Sequence, residues 1–165
     1  MALVIENGSI VAGADSFATA AELVTYAAGF GKTIPSDTTA QESLLRRAAL
    51  QMQGMPWKGG LVSELQTLAW PRYDVYRYNW LVPSNTIPPQ IKAGQMALAC
   101  EIHADDIDPP ELKKGAIIRE RVEGAVETEF AAAQTYVSRP AAARQSDSQF
   151  AQFLMPSNQS RIVRG

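Results

Sequence analysis

The stretch Thr39-Ala40-Gln41-Glu42-Ser43-Leu44-Leu45-Arg46-Arg47-Ala48-Ala49-Leu50-Gln51-Met52-Gln53 decides the fold class. Its apolar residues return every three or four positions, the period of a helix, and this predicts a helix over 40–53. Leu44, Leu45, Ala48, Ala49 and Met52 fall on one side, and Arg46 and Arg47 fall largely on the other. Thr39 and Glu42 stand three apart, the spacing at which a hydroxyl and a carboxylate satisfy each other's orphan amides in a capping box. Gly54 and Pro56 stop the helix, one by accepting a cap geometry and the other by lacking an amide hydrogen.

Two further helices lie outward from this one. Upstream, residues 1–14 read as an extended lead-in, and Asp15 or Ser16 is placed to cap a helix running to about Ala28. Its expected buried face is Phe17, Ala20, Ala21, Val24 and Ala28, and Gly29-Phe30-Gly31 ends it. Downstream, Pro88-Pro89 suits a helix start, where a missing amide hydrogen costs nothing. That helix is expected from Pro89 to Ala104, with Ile91, Met96, Leu98, Ala99 and Ile102 as its apolar residues. An acidic loop, Asp105 to Pro110, terminates it.

From Gly115 the period changes to two. Ile118, Val122, Val126 and Phe130 alternate with Glu120, Glu127 and Glu129, and Glu123-Gly124 supplies a turn, so a β-hairpin is expected. Beyond it the chain turns Ala-, Gln- and Ser-rich, with a short amphipathic patch from Ser146 to Met155. Residues 131–165 hold four basic groups and one acidic group, against nine acidic and four basic in 101–129. The expected fold is therefore mainly α: a small bundle of three main helices with a β-hairpin, spanning 1–130, followed by an extended C-terminal arm over 131–165.

Residues 55–90 are the most irregular part. Trp57, Trp70, Tyr73, Tyr76, Tyr78 and Trp80 lie there among Pro56, Pro71, Pro83, Pro88 and Pro89. So many prolines leave room for little beyond a helical turn around Val62–Leu68. Rings on a proline-fixed backbone make rigid packing surfaces, used in cores and interfaces alike. With Arg46, Arg47, Lys58, Arg72 and Arg77, the same rings also have the makings of a stacking and phosphate-binding surface for single-stranded nucleic acid.

Composition bounds the function. The chain has 165 residues, 46% hydrophobic and 19% charged, with a formal net charge of −2. No stretch is long and apolar enough to span a membrane, and the N-terminus lacks the basic start of a signal peptide, so a cytosol-like compartment is expected. An acidic balance speaks against a dedicated DNA-gripping protein. One cysteine, Cys100, excludes an internal disulfide framework. Cys100 and His103, one helical turn apart, are the only thiol–imidazole pair. Packing is the favoured reading for both; no second Cys/His pair exists to close a zinc site, and completion by Asp105 or Asp106 is outweighed by a solvated acidic helix end. No cofactor, metal or catalytic residue is expected. Gly29-Phe30-Gly31-Lys32-Thr33 follows a helix rather than a strand and lacks the upstream glycine of a phosphate loop.

Several of these segments together resemble a known family: Asp15-Ser16-Phe17, Glu42 to Ala48, Trp57-Lys58-Gly59-Gly60, Gln66-Thr67-Leu68-Ala69-Trp70-Pro71-Arg72, Ile87 to Lys92 and Arg121 to Glu127. In this order they resemble the phage family of DnaT-like proteins, and also the head-to-tail connector (adaptor) proteins of tailed phages. The resemblance implies a structural virion protein at the head–tail interface, present in the host cytoplasm during assembly. It implies a dodecameric ring under the portal protein, joined to a neck or tail protein, with duplex DNA passing through without sequence-specific contact. On that reading Trp57, Trp70, Pro71 and Arg72 form the subunit interface. Phe150, Phe153, Leu154, Arg161 and Arg164 form a portal-docking arm. The alternative implied by the family is a DnaT-like single-stranded DNA-binding accessory protein.

Overall fold

A computed structural model describes residues 2–108 and 144–156, together with the backbone of the strands between them. The chain divides into two compact units, one formed by Met1–Ala104 with Ala143–Gly165 and the other by Asp105–Ala142. Residues 144–156 thus belong to the first unit.

In the first unit, helix α1 spans Ala20–Gly29, α2 Thr38–Gln53 and α3 Pro89–Ile107. The buried face of α2 is as expected, Leu44, Leu45, Ala48, Ala49 and Met52, with Gln41 added. Its cap differs. Asp37 Oδ2 accepts from the Ala40 amide at 2.9 Å, and Glu42 turns instead to Arg46 at 3.7 Å. Helix α1 also starts later than expected. Its cap is Thr19, which forms a full capping box with Glu22. This shift rotates the buried face to Leu23 and Ala27, and Val24 is exposed. Asp15 is unavailable as a cap because its carboxylate accepts from the Val4 amide at 2.8 Å and pairs with Arg46 at 2.7 Å.

Ser16 is tied to a buried amide on α3. Gln95 on α3 is fully buried. Its Oε1 accepts from the Phe17 and Ala18 amides at 2.9 and 3.1 Å, and its Nε2 donates to Leu45 O at 2.9 Å and to Ser16 Oγ at 3.0 Å. One amide thereby joins α3, α2 and the extended segment ahead of α1. A buried amide is tolerated because each of its polar atoms is paired.

Between α2 and α3 the chain forms two short antiparallel ladders, β1 (Gly60–Leu61) with β2 (Arg72–Tyr73) and β3 (Tyr76–Arg77) with β4 (Trp80–Leu81). Val62–Leu68 is turn and bend, not helix. In the second unit, Ile117–Glu123 (β6) pairs antiparallel with Ala125–Phe130 (β7), the expected hairpin. Two flanking strands, Leu112–Lys113 (β5) and Tyr136–Val137 (β8), pair with each other.

The largest difference is the C-terminal segment. Residues 144–156, the part of it that is described, pack against the first unit instead of extending as an arm. Residues Gln145–Phe150 form helix α4, and Phe150 and Phe153 are fully buried in the core of the first unit. Phe150 packs edge-on to Trp57 with ring centres 5.2 Å apart, Phe153 edge-on to Trp70 at 5.4 Å, and Trp57 edge-on to Trp70 at 5.9 Å. Such perpendicular contacts set the positive edge of one ring on the negative face of the next. Backbone bonds fasten the segment, from Lys58 N to Phe153 O and from Met155 N to Pro56 O, both 2.8 Å. Ser146 Oγ also donates to Glu101 at 2.6 Å.

Candidate functional site

These contacts sort the aromatic segment into two sets. Trp57, Trp70 and Pro71 are buried and pack in the chain's own core. Trp57 Nε1 donates to Met52 O at 2.6 Å. Arg72 donates to three backbone carbonyls of its own loop, those of Lys58, Gly59 and Ala69. Partial burial holds its guanidinium below the usual arginine range. The four residues expected at a subunit interface thus brace the chain internally. Likewise Phe150 and Phe153, expected on a docking arm, are buried in the core of the first unit, and Leu154 bridges to Trp57. Arg161 and Arg164 lie outside the described residues.

The second set faces outward on the β3–β4 hairpin. Buried Val75 anchors its base, with the Val82 amide donating to Val75 O at 2.8 Å. The register Arg77 opposite Trp80 leaves Tyr78 and Asn79 as the turn, and Tyr78 takes a left-handed φ of 54°. Tyr78 is 76% exposed and Trp80 80%, far more than rings of that size usually are, and Tyr73, Tyr76 and Leu81 are also exposed. The signal in the sequence was the alternation Tyr76-Arg77-Tyr78-Asn79-Trp80, which places three rings at two-residue intervals.

A cation network lies beside the rings. Arg77 sits over the Tyr78 ring, 5.9 Å from its centre, and donates from Nε to Gln152 Oε1 at 2.9 Å. Gln152 Nε2 donates in turn to Tyr78 Oη at 3.0 Å, and the Gln152 carbonyl accepts from Lys58 Nζ at 2.7 Å. Lys58, Arg72 and Arg77 are thus held by carbonyls and amides, and among the described residues no carboxylate pairs with them. The other cations singled out in the sequence are used differently, Arg46 being paired with Asp15 and Glu42. From α3, Lys92 reaches Glu22 on α1. Partial burial raises the Glu22 carboxyl, but hydrogen bonds from Lys92 and Thr19 outweigh this and leave it below the usual carboxylate range.

Between the hairpin and the start of α3 lies a cleft of about 500 Å³, lined by Arg77, Tyr78, Trp80, Pro83, Thr86 and Gln90 among others. The arrangement offers exposed π-faces, an apolar concavity and cations held by neutral partners among the described residues, a combination suited to stacking and anion contact.

Cys100 is buried, and burial pushes its thiol up to about 11. Such a thiol stays protonated at neutral pH and is a poor nucleophile. Native protein should therefore resist thiol-specific reagents and react only on unfolding. Rapid stoichiometric labelling of the folded chain would contradict the burial. Among the described residues no cluster of three or more metal-ligating side chains occurs, and no helix is long and apolar enough to cross a membrane.

No curated protein and no solved structure matches the chain. A family model matches residues 1–165, and the chain belongs to the family described as "Putative DnaT-like ssDNA binding protein".

Proposed function

We propose that this chain is a non-catalytic single-stranded DNA-binding protein whose contact surface is the β3–β4 hairpin. The observation that carries the reading is the pair of exposed rings, Tyr78 and Trp80, beside Arg77, a cation held only by neutral partners among the described residues. Every base has a π-face, so stacking on such rings is tolerant of sequence, and Arg77 and Lys58 supply attraction to phosphate. The family description supports the same reading. The overall charge of −2 sets a limit, so binding is carried by a local patch and not by the whole surface.

The test is titration of a labelled oligothymidylate with the full chain at graded salt, against a duplex of equal length. Single strands should bind more tightly, with affinity falling as salt rises. Replacing Arg77 by glutamine should weaken binding and reduce the salt slope by about one. Absence of binding at low salt removes the proposal.

A second reading is that of a connector subunit in a phage neck, forming a ring with portal and neck proteins around passing DNA. Two observations favour it. Leu65, Trp80 and Leu81 are large apolar side chains left in solvent, of the kind that ring contacts bury, and a second unit with its own hairpin is attached to the first. A mildly acidic chain also suits a conduit that must not retain phosphate. Co-sedimentation with portal-containing particles, visible as rings in electron micrographs, supports this reading. Failure to co-sediment removes it.

A further inference from the structure

The cleft beside the hairpin says more about what is bound. Resting on the DNA-binding reading above, we infer that it is a slot for a single unpaired nucleobase, with Arg77 in its wall to meet the adjoining phosphate. Its walls are apolar and stiff. Tyr78 and Trp80 contribute rings on one side, and Pro83, Pro88 and Pro89 fix the backbone on the other. A volume of about 500 Å³ admits a base with part of its sugar. Apolar walls alone suit many occupants, and the charge selects among them. Arg77 is bonded to Gln152, and Gln90, with its amide oxygen turned towards Arg77, accepts from both terminal guanidinium nitrogens at 3.1 Å. Both partners are neutral, so among the described residues no carboxylate competes with an anion for this charge.

That orientation also leaves the Gln90 NH₂ as a donor, and the Thr86 hydroxyl lines the same cleft. Both groups suit the polar edge of a base. The base must be unpaired, because within a duplex its faces are covered by the stack and its pairing edge is occupied. Stacking alone on an open platform would leave the concavity unused. A base entering it meets ring, proline and amide at once.

The experiment compares two strands of equal length and charge, an oligothymidylate and an abasic strand that keeps the sugar–phosphate chain without bases, each titrated with the full chain. The thymidylate is expected to bind at least about tenfold tighter, in line with the worth of one stacked base. Trp80→Ala, at an exposed position whose loss leaves the core intact, should bring the two strands to equal affinity, with unchanged unfolding confirming the fold. Equal affinity for both strands in the unaltered chain overturns the slot but leaves phosphate-driven DNA binding standing. No binding of either strand removes the slot together with the DNA-binding reading. A proline-rich peptide that saturates the cleft while DNA does not bind assigns it to a protein partner and overturns the inference.

Discussion

Replacing Gln95 by alanine is expected to lower the unfolding free energy by about 3 kcal/mol or more, the sum of a lost buried hydrogen-bond network and a small cavity. The Phe17 amide loses its acceptor and remains buried, while Ser16 Oγ and Leu45 O each lose a donor. The isosteric Gln95→Met should be only slightly better, because it restores volume without restoring the partners. Denaturant unfolding with linear extrapolation measures both. A loss under about 0.5 kcal/mol, the range of ordinary surface substitutions, would show that the network is not holding the three elements together.

The second large effect has a sign opposite to that of helix propensity. Gly94 lies inside α3, where alanine is ordinarily preferred by about 1 kcal/mol. A Cβ there, however, would stand 2.1 Å from Phe150 Cε1 and 2.6 Å from its Cζ. Gly94→Ala is therefore expected to destabilise by about 2–3 kcal/mol, as overpacking does in a core that cannot yield. The ring is held edge-on by Trp57 and has little room to retreat. In a Phe150→Ala background the clash disappears, and the same glycine substitution should become neutral or stabilising. That double-mutant cycle separates the contact from any general intolerance of α3. Additive effects would contradict the seating of Phe150 on Gly94. By the same logic, truncation ahead of residue 144 should expose Trp57 and Trp70 and unfold the first unit.

The two long helices were legible because each carries enough turns for the 3.6-residue period to stand out. Leu44, Leu45, Ala48, Ala49 and Met52 are all buried as their spacing implied. The ends were less legible, since several cap residues compete in Ser36-Asp37-Thr38-Thr39 and in Asp15-Ser16-Phe17-Ala18-Thr19. The Thr19–Glu22 spacing did carry the correct signal. Asp15 lost its claim to a partner far along the chain, Arg46, which local spacing does not reveal.

The packing of residues 144–156 is hard to read from the sequence for a physical reason. Six residues of helix, Gln145–Phe150, give less than two turns of pattern, and the Gln, Ser and Asp around the two phenylalanines look like a solvated arm. Only the partners of those rings show that they are core. Gln95 escaped notice similarly, since a glutamine in a helix usually faces water. In the candidate site, the rings and cations of 57–80 were visible in the sequence as one group. Which of them face inward depended on tertiary packing, and it was Gln152, from the distant tail, that tied Lys58, Arg77 and Tyr78 together.

The central claim is that the hairpin meets single-stranded DNA, and photo-crosslinking tests it most directly. The full chain, irradiated with a thymidylate strand carrying a photoreactive base and digested for mass spectrometry, should show crosslinks concentrated on the peptide holding Tyr76, Tyr78 and Trp80. Crosslinks confined to the α2 surface around Arg46 and Arg47, or none above background at saturating strand, would contradict it.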